Sequence, residues 1–252
     1  MKMRIHLAIP ALCVAMLAQA TWAQSAPVQT APAAVAQAKP APVPYYFDPA
    51  VIDPSIILPP PPAAGSAAQA EDLAEVHNAH DHASPAEMKF AQTDALEQDL
   101  FIYAPVLGSG FRADALPATA ALSAHLMNDA SVMNGLLKAI YLRARPFRAD
   151  TTLRSECGAA TQMSYPSGHS MAGYLGAYTM AQIVPEKAQQ ILARADEYAQ
   201  HRIVCAVHYP TDIRAGRQVA LEMFGYLLAQ PRYQKELAAA RSETRSALHL
   251  DK

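Results

Sequence analysis

Beyond residue 116 the chain is punctuated by prolines that stand where helices begin, and this constrains the fold more than any other feature. "PATAALSAHLMNDASVMNGLLKAIYLRA" (117–144), "PEKAQQILARADEYAQHR" from Pro185 and "PRYQKELAAARSETRSAL" from Pro231 each open on one. Proline has a fixed φ and no N–H, which suits the first turn of a helix and not its interior. Glu186 follows Pro185 at the positive end of that helix. The segments 93–104, "TDALEQDLFIYA", and 212–229, "DIRAGRQVALEMFGYLLA", carry apolar residues at helical spacing. The stretch 117–144 is long enough for one or two helices. No segment alternates with period two for long enough to specify a strand. The expected fold class is all-α, a soluble helical bundle. With 252 residues, 52% of them hydrophobic, the chain can bury one core, so one domain with appendages is expected.

The appendages precede the bundle. Lys2 and Arg4 are followed by an apolar run over 5–17 and then by small residues, the pattern of a secretory signal peptide over 1–23. Cleavage is expected after Ala23, with Ala20 the alternative. The run is short for a membrane anchor. No later stretch has the ~20 uncharged apolar residues of a span. Residues 24–70 are rich in Ala, Pro and Gln and read as an extended segment. Within it 57–66, "ILPPPPAAGS", is stiff enough to lie against the domain as an arm. The domain proper is expected over 71–252. Losing Lys2 and Arg4 from 20 basic residues, against 22 acidic ones, leaves the mature chain at −4. No basic surface argues for nucleic acid. Export leaves two cysteines, Cys157 and Cys205, and an even number of thiols outside the cytoplasm suggests a disulfide. It would close a loop of about 49 residues, worth about 4 kcal/mol in the chain-entropy account. Two buried free thiols are the alternative.

Three clusters carry chemistry. Lys138 and Arg145 are two helical turns apart and can project from one helix, which Pro146 would end at Arg145. Ser167-Gly168-His169 precedes an apolar run over 171–184. Ser167 suits an N-cap, Gly168 admits a close ligand, and the free N–H groups of a helix start favour an anion. Arg202, His208 and Asp212 form the last cluster, with Asp212 placed to accept a proton from the His208 ring. Each cluster alone is commonplace. Together they make a cradle for a tetrahedral dianion, with a nucleophile and an acid.

Lys138-x6-Arg145-Pro146, Pro166-Ser167-Gly168-His169 and Arg202-x5-His208-x3-Asp212 resemble the three-part signature of the phosphatidic acid phosphatase type 2 superfamily. "ARPF", "SYPSGHS", "HRIVCAVHYPTDIRAGR" and "LPPPPAAGS" are similar to the class A bacterial nonspecific acid phosphatases within it. The resemblance runs from about residue 57 to near the C-terminus. It implies a metal-independent, cofactor-free acid phosphatase acting on small-molecule phosphomonoesters in the periplasm. In it His208 attacks phosphorus, Asp212 orients His208, and His169 protonates the leaving alcohol. Lys138, Arg145, Arg202, Ser167 and Gly168 hold the phosphoryl oxygens. Phosphoryl transfer needs positioning and charge neutralisation above all, and here the cations are side chains. The third motif usually has Ser before its Arg. His201 stands there instead, and it is expected to alter phosphate affinity or the pH profile without abolishing activity. A vanadate-dependent haloperoxidase shares the cradle, and a non-catalytic phosphate-binding protein would share its cations. His77, His80 and His82 invite a metal reading, although no matching Cys or carboxylate set stands nearby in sequence. The sequence leaves a homo-oligomer open.

Overall fold

A computed structural model describes residues 43–48, 56, 58–158 and 163–250. The leader expected over 1–23 lies outside the described residues, as does most of the 24–70 segment. The elements are α1 (Ala67–Asp81), α2 (Pro85–Asp94), a 3-10 turn (Leu100–Tyr103), α3 (Ala104–Leu107), α4 (Pro117–Ile140) and α5 (Pro146–Ala149). There follow α6 (Gly168–Ile183), a second 3-10 turn (Pro185–Lys187), α7 (Ala188–Val204), α8 (Pro210–Leu228) and α9 (Pro231–Ala247). Among the described residues there is no strand, and no helix is long and apolar enough to cross a membrane.

Helix α6 is the axis of the bundle and packs against α4, α7, α8 and α9. It is buried nearly all round, through Met171, Tyr174, Leu175, Ala177, Met180 and Ile183 among others, the mark of a core helix rather than a surface one. Its glycines set how closely its neighbours approach. A Cβ on Gly173 would stand 2.8 Å from the Tyr198 ring. At the α6–α8 crossing, a Cβ on Gly216 would stand 2.5 Å from the Ser167 carbonyl oxygen.

The 117–144 stretch forms one helix that stops at Ile140. The helical spacing over 93–104 does not become one helix. Helix α2 ends at Asp94, whose carboxylate is held by Arg194 and His201 of α7. Asp99 then caps the first 3-10 turn, accepting from the Phe101 N–H at 2.7 Å. Leu96, part of the apolar pattern, is 88% exposed.

Part of the Pro/Ala-rich segment belongs to the core. Tyr46 and Phe47 are buried in it. The N–H groups of Tyr45 and Tyr46 donate to the two carboxylate oxygens of Asp129, and both phenols donate to Glu236. The expected arm is also seated: Leu58 is buried, and the Leu58 and Pro59 carbonyls accept from the hydroxyls of Tyr141 and Tyr165, each at 2.8 Å. Ser66 caps α1 by accepting from the Gln69 N–H.

Candidate active site

Lys138 stands in the last turn of α4 and Arg145 does not stand on that helix. This corrects the expectation that the two project from one helix ended by Pro146. Tyr141, with φ −105° and ψ 100°, already leaves the helix, and its hydroxyl is anchored to the arm. Pro146 acts locally: its ring excludes helical geometry from Arg145, which is extended at φ −73° and ψ 156°. The two side chains nonetheless reach one cavity of about 220 Å³, lined also by Gly168, His169 and His208.

Ser167 is the N-cap of α6. Its Oγ accepts from the Ser170 N–H at 3.3 Å and from the Ser170 hydroxyl at 3.1 Å, and its own N–H donates to the Asp212 carbonyl at 3.0 Å. Both bonds use the oxygen as acceptor, and Ser167 is not among the residues lining the cavity. The first turn of α6 offers unbonded N–H groups there instead. Gly168 has no room for a Cβ, which would lie 2.8 Å from Asn134 Nδ2.

His208 follows the tight return after α7. The Val207 and His208 N–H groups donate to the Arg202 carbonyl, and Ala206 takes φ 54°. His208 Nδ1 is 3.2 Å from Asp212 Oδ2, and its Nε2 is 3.2 Å from Arg145 Nη1. A proton on Nδ1 given to Asp212 leaves the Nε2 lone pair on the cavity side. Asp212 is fully buried. Its Oδ2 also accepts from the Ser164 hydroxyl at 2.6 Å and the Tyr209 N–H at 2.9 Å, while Oδ1 accepts from Arg143 at 2.7 Å. Arg143 is shared with Asp72 at 2.6 Å and lies over the Tyr209 ring.

Burial alone would raise the Asp212 carboxyl, but His208, Arg143 and Ser164 hold it at about 2. The cations act on one another. Burial and then Arg145 push Lys138 down to about 7, and burial takes Arg145 to about 10. Burial followed by Arg202 holds His169 at about 3, although its Nε2 meets the Ala95 carbonyl at 3.3 Å. Burial also holds His208 well below the usual histidine range. Arg202 is itself buried, with an Nε that finds no hydrogen-bond partner. An anion among these groups would offset the charge repulsion that adds to burial at Lys138 and His169.

His201 does not line the cavity. Its Nδ1 meets Asp94 Oδ2 at 2.6 Å, and the same carboxylate takes two N–H groups of Arg194. Asp94 is followed by Ala95, whose carbonyl meets His169. Cys157 and Cys205 are at disulfide distance, with Cα atoms 5.5 Å apart. The histidines at 77, 80 and 82 have separate partners: Asp150 and Asp81 for His77, the Val204 carbonyl for His80 and the Asn78 carbonyl for His82. No group of three His, Cys, Asp or Glu that could hold a metal occurs among the described residues.

Sequence reasoning missed Arg143, Ser164 and Asp72. Arg143 left a faint signal as the first arginine of "RARP" and Ser164 one as the first residue of "SYPSGHS"; nothing near Asp72 in the sequence ties it to residue 212.

Comparison with known proteins covers most of the chain. Residues 117–236 match the PAP2 superfamily. The chain is 30% identical over 208 residues to the "Non-specific acid phosphatase" of Salmonella typhimurium, covering 79% of this chain and 83% of that protein. It is 30% identical over 203 residues to the "Acid phosphatase" of Zymomonas mobilis, covering 77% and 76%. It is 29% identical over 203 residues to the "Non-specific acid phosphatase" of Providencia stuartii, covering 76% and 81%.

Proposed function

Because this chain belongs to the PAP2 superfamily, among its bacterial acid phosphatases, we propose that it hydrolyses a broad range of phosphomonoesters through a phosphohistidine at His208, without a metal. The observation that carries this is the His208 ring, tied to Asp212 on one side and presenting Nε2 beside Arg145 on the other. Nε2 attacks phosphorus as the bond to the ester oxygen breaks, and His169 gives that oxygen its proton. A water then gives a proton to His169 and attacks the phosphohistidine. The P–N bond breaks, and inorganic phosphate and the starting enzyme are restored. Lys138, Arg145, Arg202 and the α6 N–H groups stabilise the equatorial oxygens throughout.

His169 is too acidic in the anion-free site to carry a proton near pH 6. Burial depresses it most and the neighbouring cations add to that; the dianionic substrate offsets the cations, so substrate and proton enter together. Turnover is therefore favoured on the acid side of neutrality. We further assign the chain to the periplasm, with the leader removed after Ala23 and the cysteine pair oxidised there.

The test is to quench turnover of a radiolabelled ester in alkali and map the label. Label on His208, loss of turnover in His208→Ala, competitive inhibition by vanadate and full activity in EDTA are expected. Turnover by His208→Ala, or abolition of activity by EDTA with no effect of vanadate, would overturn the mechanism.

A further inference from the structure

We propose that Asp72, on helix α1, is a positioning residue for the nucleophile: it acts on His208 through Arg143 and Asp212 and keeps a net negative charge behind the ring. The proposal rests on the phosphatase reading above and extends it to a residue outside the family match over 117–236.

Asp72 reaches Asp212 by two routes. Its Oδ2 accepts from Arg143 Nη2 at 2.6 Å, and Arg143 Nη1 donates to Asp212 Oδ1 at 2.7 Å. Its Oδ1 accepts from the Thr211 N–H at 3.2 Å, and its Oδ2 accepts from the Thr211 hydroxyl. Thr211 stands in the first turn of α8, where N–H groups lack a partner within the helix, and Asp212 is the next residue. One carboxylate thus holds both the guanidinium on Asp212 and the backbone that carries Asp212. His208 Nδ1 is on the other oxygen of Asp212, Oδ2, at 3.2 Å. A turn of the Asp212 carboxylate would therefore break both contacts.

The side chains of Asp72, Arg143 and Asp212 are 3%, 5% and 0% exposed, so salt screens their charges little. Arg143 alone would neutralise Asp212. With Asp72 the group carries one net negative charge. The exposed Arg214 stands 3.9 Å from Asp72, and Gln69, uncharged, accepts from Arg143 Nη2 at 2.6 Å. On the cavity side His208 faces Arg145 and Lys138. His169 of α6 lines the same cavity, and Arg202 of α7 acts on Arg145 and His169. When Nε2 bonds to phosphorus and the ester P–O bond breaks, Nδ1 keeps its proton and the ring becomes cationic. A net negative charge behind Nδ1 stabilises that ring more than a neutral Arg143–Asp212 pair would. Buried ion pairs contribute little net stability compared with apolar packing, so stability alone does not account for three charges gathered here.

The experiment measures kcat/KM for p-nitrophenyl phosphate and Ki for inorganic phosphate, well below each variant's Tm. Asp72→Asn keeps the shape and removes the charge. It is expected to lower kcat/KM about tenfold, as loss of a group that orients a functional histidine does, with Ki within about twofold of wild type. Gln69→Met removes a neutral partner from the same Arg143 nitrogen and should leave kcat/KM within about twofold. The Nδ1 proton of His208, read by NMR in the anion-free protein, should move upfield in Asp72→Asn as its acceptor weakens. Wild-type kcat/KM in Asp72→Asn overturns the proposal, and so does an unmoved proton. Equal losses in kcat/KM and in phosphate affinity, the mark of a collapsed cavity, overturn it too, as do equal losses in Asp72→Asn and Gln69→Met. If Asp72→Asn does not fold, Arg143→Lys replaces it. A single ammonium cannot hold both carboxylates, so the same loss is expected there, and wild-type kcat/KM overturns the proposal. A wild type without turnover in which the proton still shifts overturns the phosphatase reading and not the positioning of the ring.

Discussion

Asp212 illustrates how much of a buried carboxylate's behaviour is set by its neighbours. Arg143, Ser164 and the Tyr209 N–H all hold its carboxylate, so the His208 ring has one place to rest. The same crowding of charge makes stability depend on pH. Unfolded, His169 titrates near 6.5; folded and without anion it titrates at about 3. Between those values the unfolded chain binds the extra proton, so folding stability falls as the pH drops through that window. His208, also depressed, acts in the same direction. Asp212 acts lower still: held at about 2, its contribution is present above the ordinary carboxylate value and is lost as pH falls toward 2. Melting curves at pH 7 and pH 4.5 should therefore show a lower Tm at pH 4.5. Inorganic phosphate should recover more of it there, because a bound anion lets His169 accept its proton. A Tm that rises from pH 7 to 4.5 without phosphate would contradict this assignment of neutral histidines.

Helix α8 holds two glycines in opposite circumstances. A Cβ on Gly216 would press on the Ser167 carbonyl at 2.5 Å and on Ser170 Cβ at 3.0 Å, whereas a Cβ on Gly225 meets nothing within 4 Å. Gly216→Ala should force α8 away from the start of α6, costing about 1–3 kcal/mol, and lower kcat because that start carries His169. Gly225→Ala should stabilise by about 0.5–1 kcal/mol through helix propensity. Denaturant titration of both variants checks the pair, and equal effects would mean that the crossing is slack. The boundaries of α2 and α4 carry a related lesson. Apolar spacing over 93–104 and 117–144 indicates helix, yet α2 stops where Asp94 finds Arg194 and His201 from α7, and α4 stops where Tyr141 finds the arm. Those partners are far away in the chain, so periodicity has no means of marking the stop.

On the scale of the whole molecule the N-terminal segment is the least expected part. Its composition describes a tether, but Tyr45, Tyr46 and Phe47 are held between Asp129 of α4 and Glu236 of α9. Phe47→Ala should therefore destabilise the protein by about 3 kcal/mol, as truncation of a buried aromatic does, against the ~0.5 kcal/mol or less of a residue in a solvated tether. The denaturant midpoint, with the slope unchanged, is the measurement. A midpoint equal to wild type would mean that the segment contributes no core.

The all-α class, the capping role of Ser167, the gathering of His169, His208, Lys138 and Arg145, and the pairing of Asp212 with His208 could all be read from the sequence. They depend on short-range physics: proline geometry, capping, apolar periodicity and motifs of a few residues. Tertiary structure alone decided that Arg143 holds Asp212 and that His201 joins Asp94 instead of the cavity. These follow from which helices cross and how closely. A crossing is set by side chains on both partners, including the absence of a side chain at Gly168 and Gly216, and no local stretch of sequence encodes it.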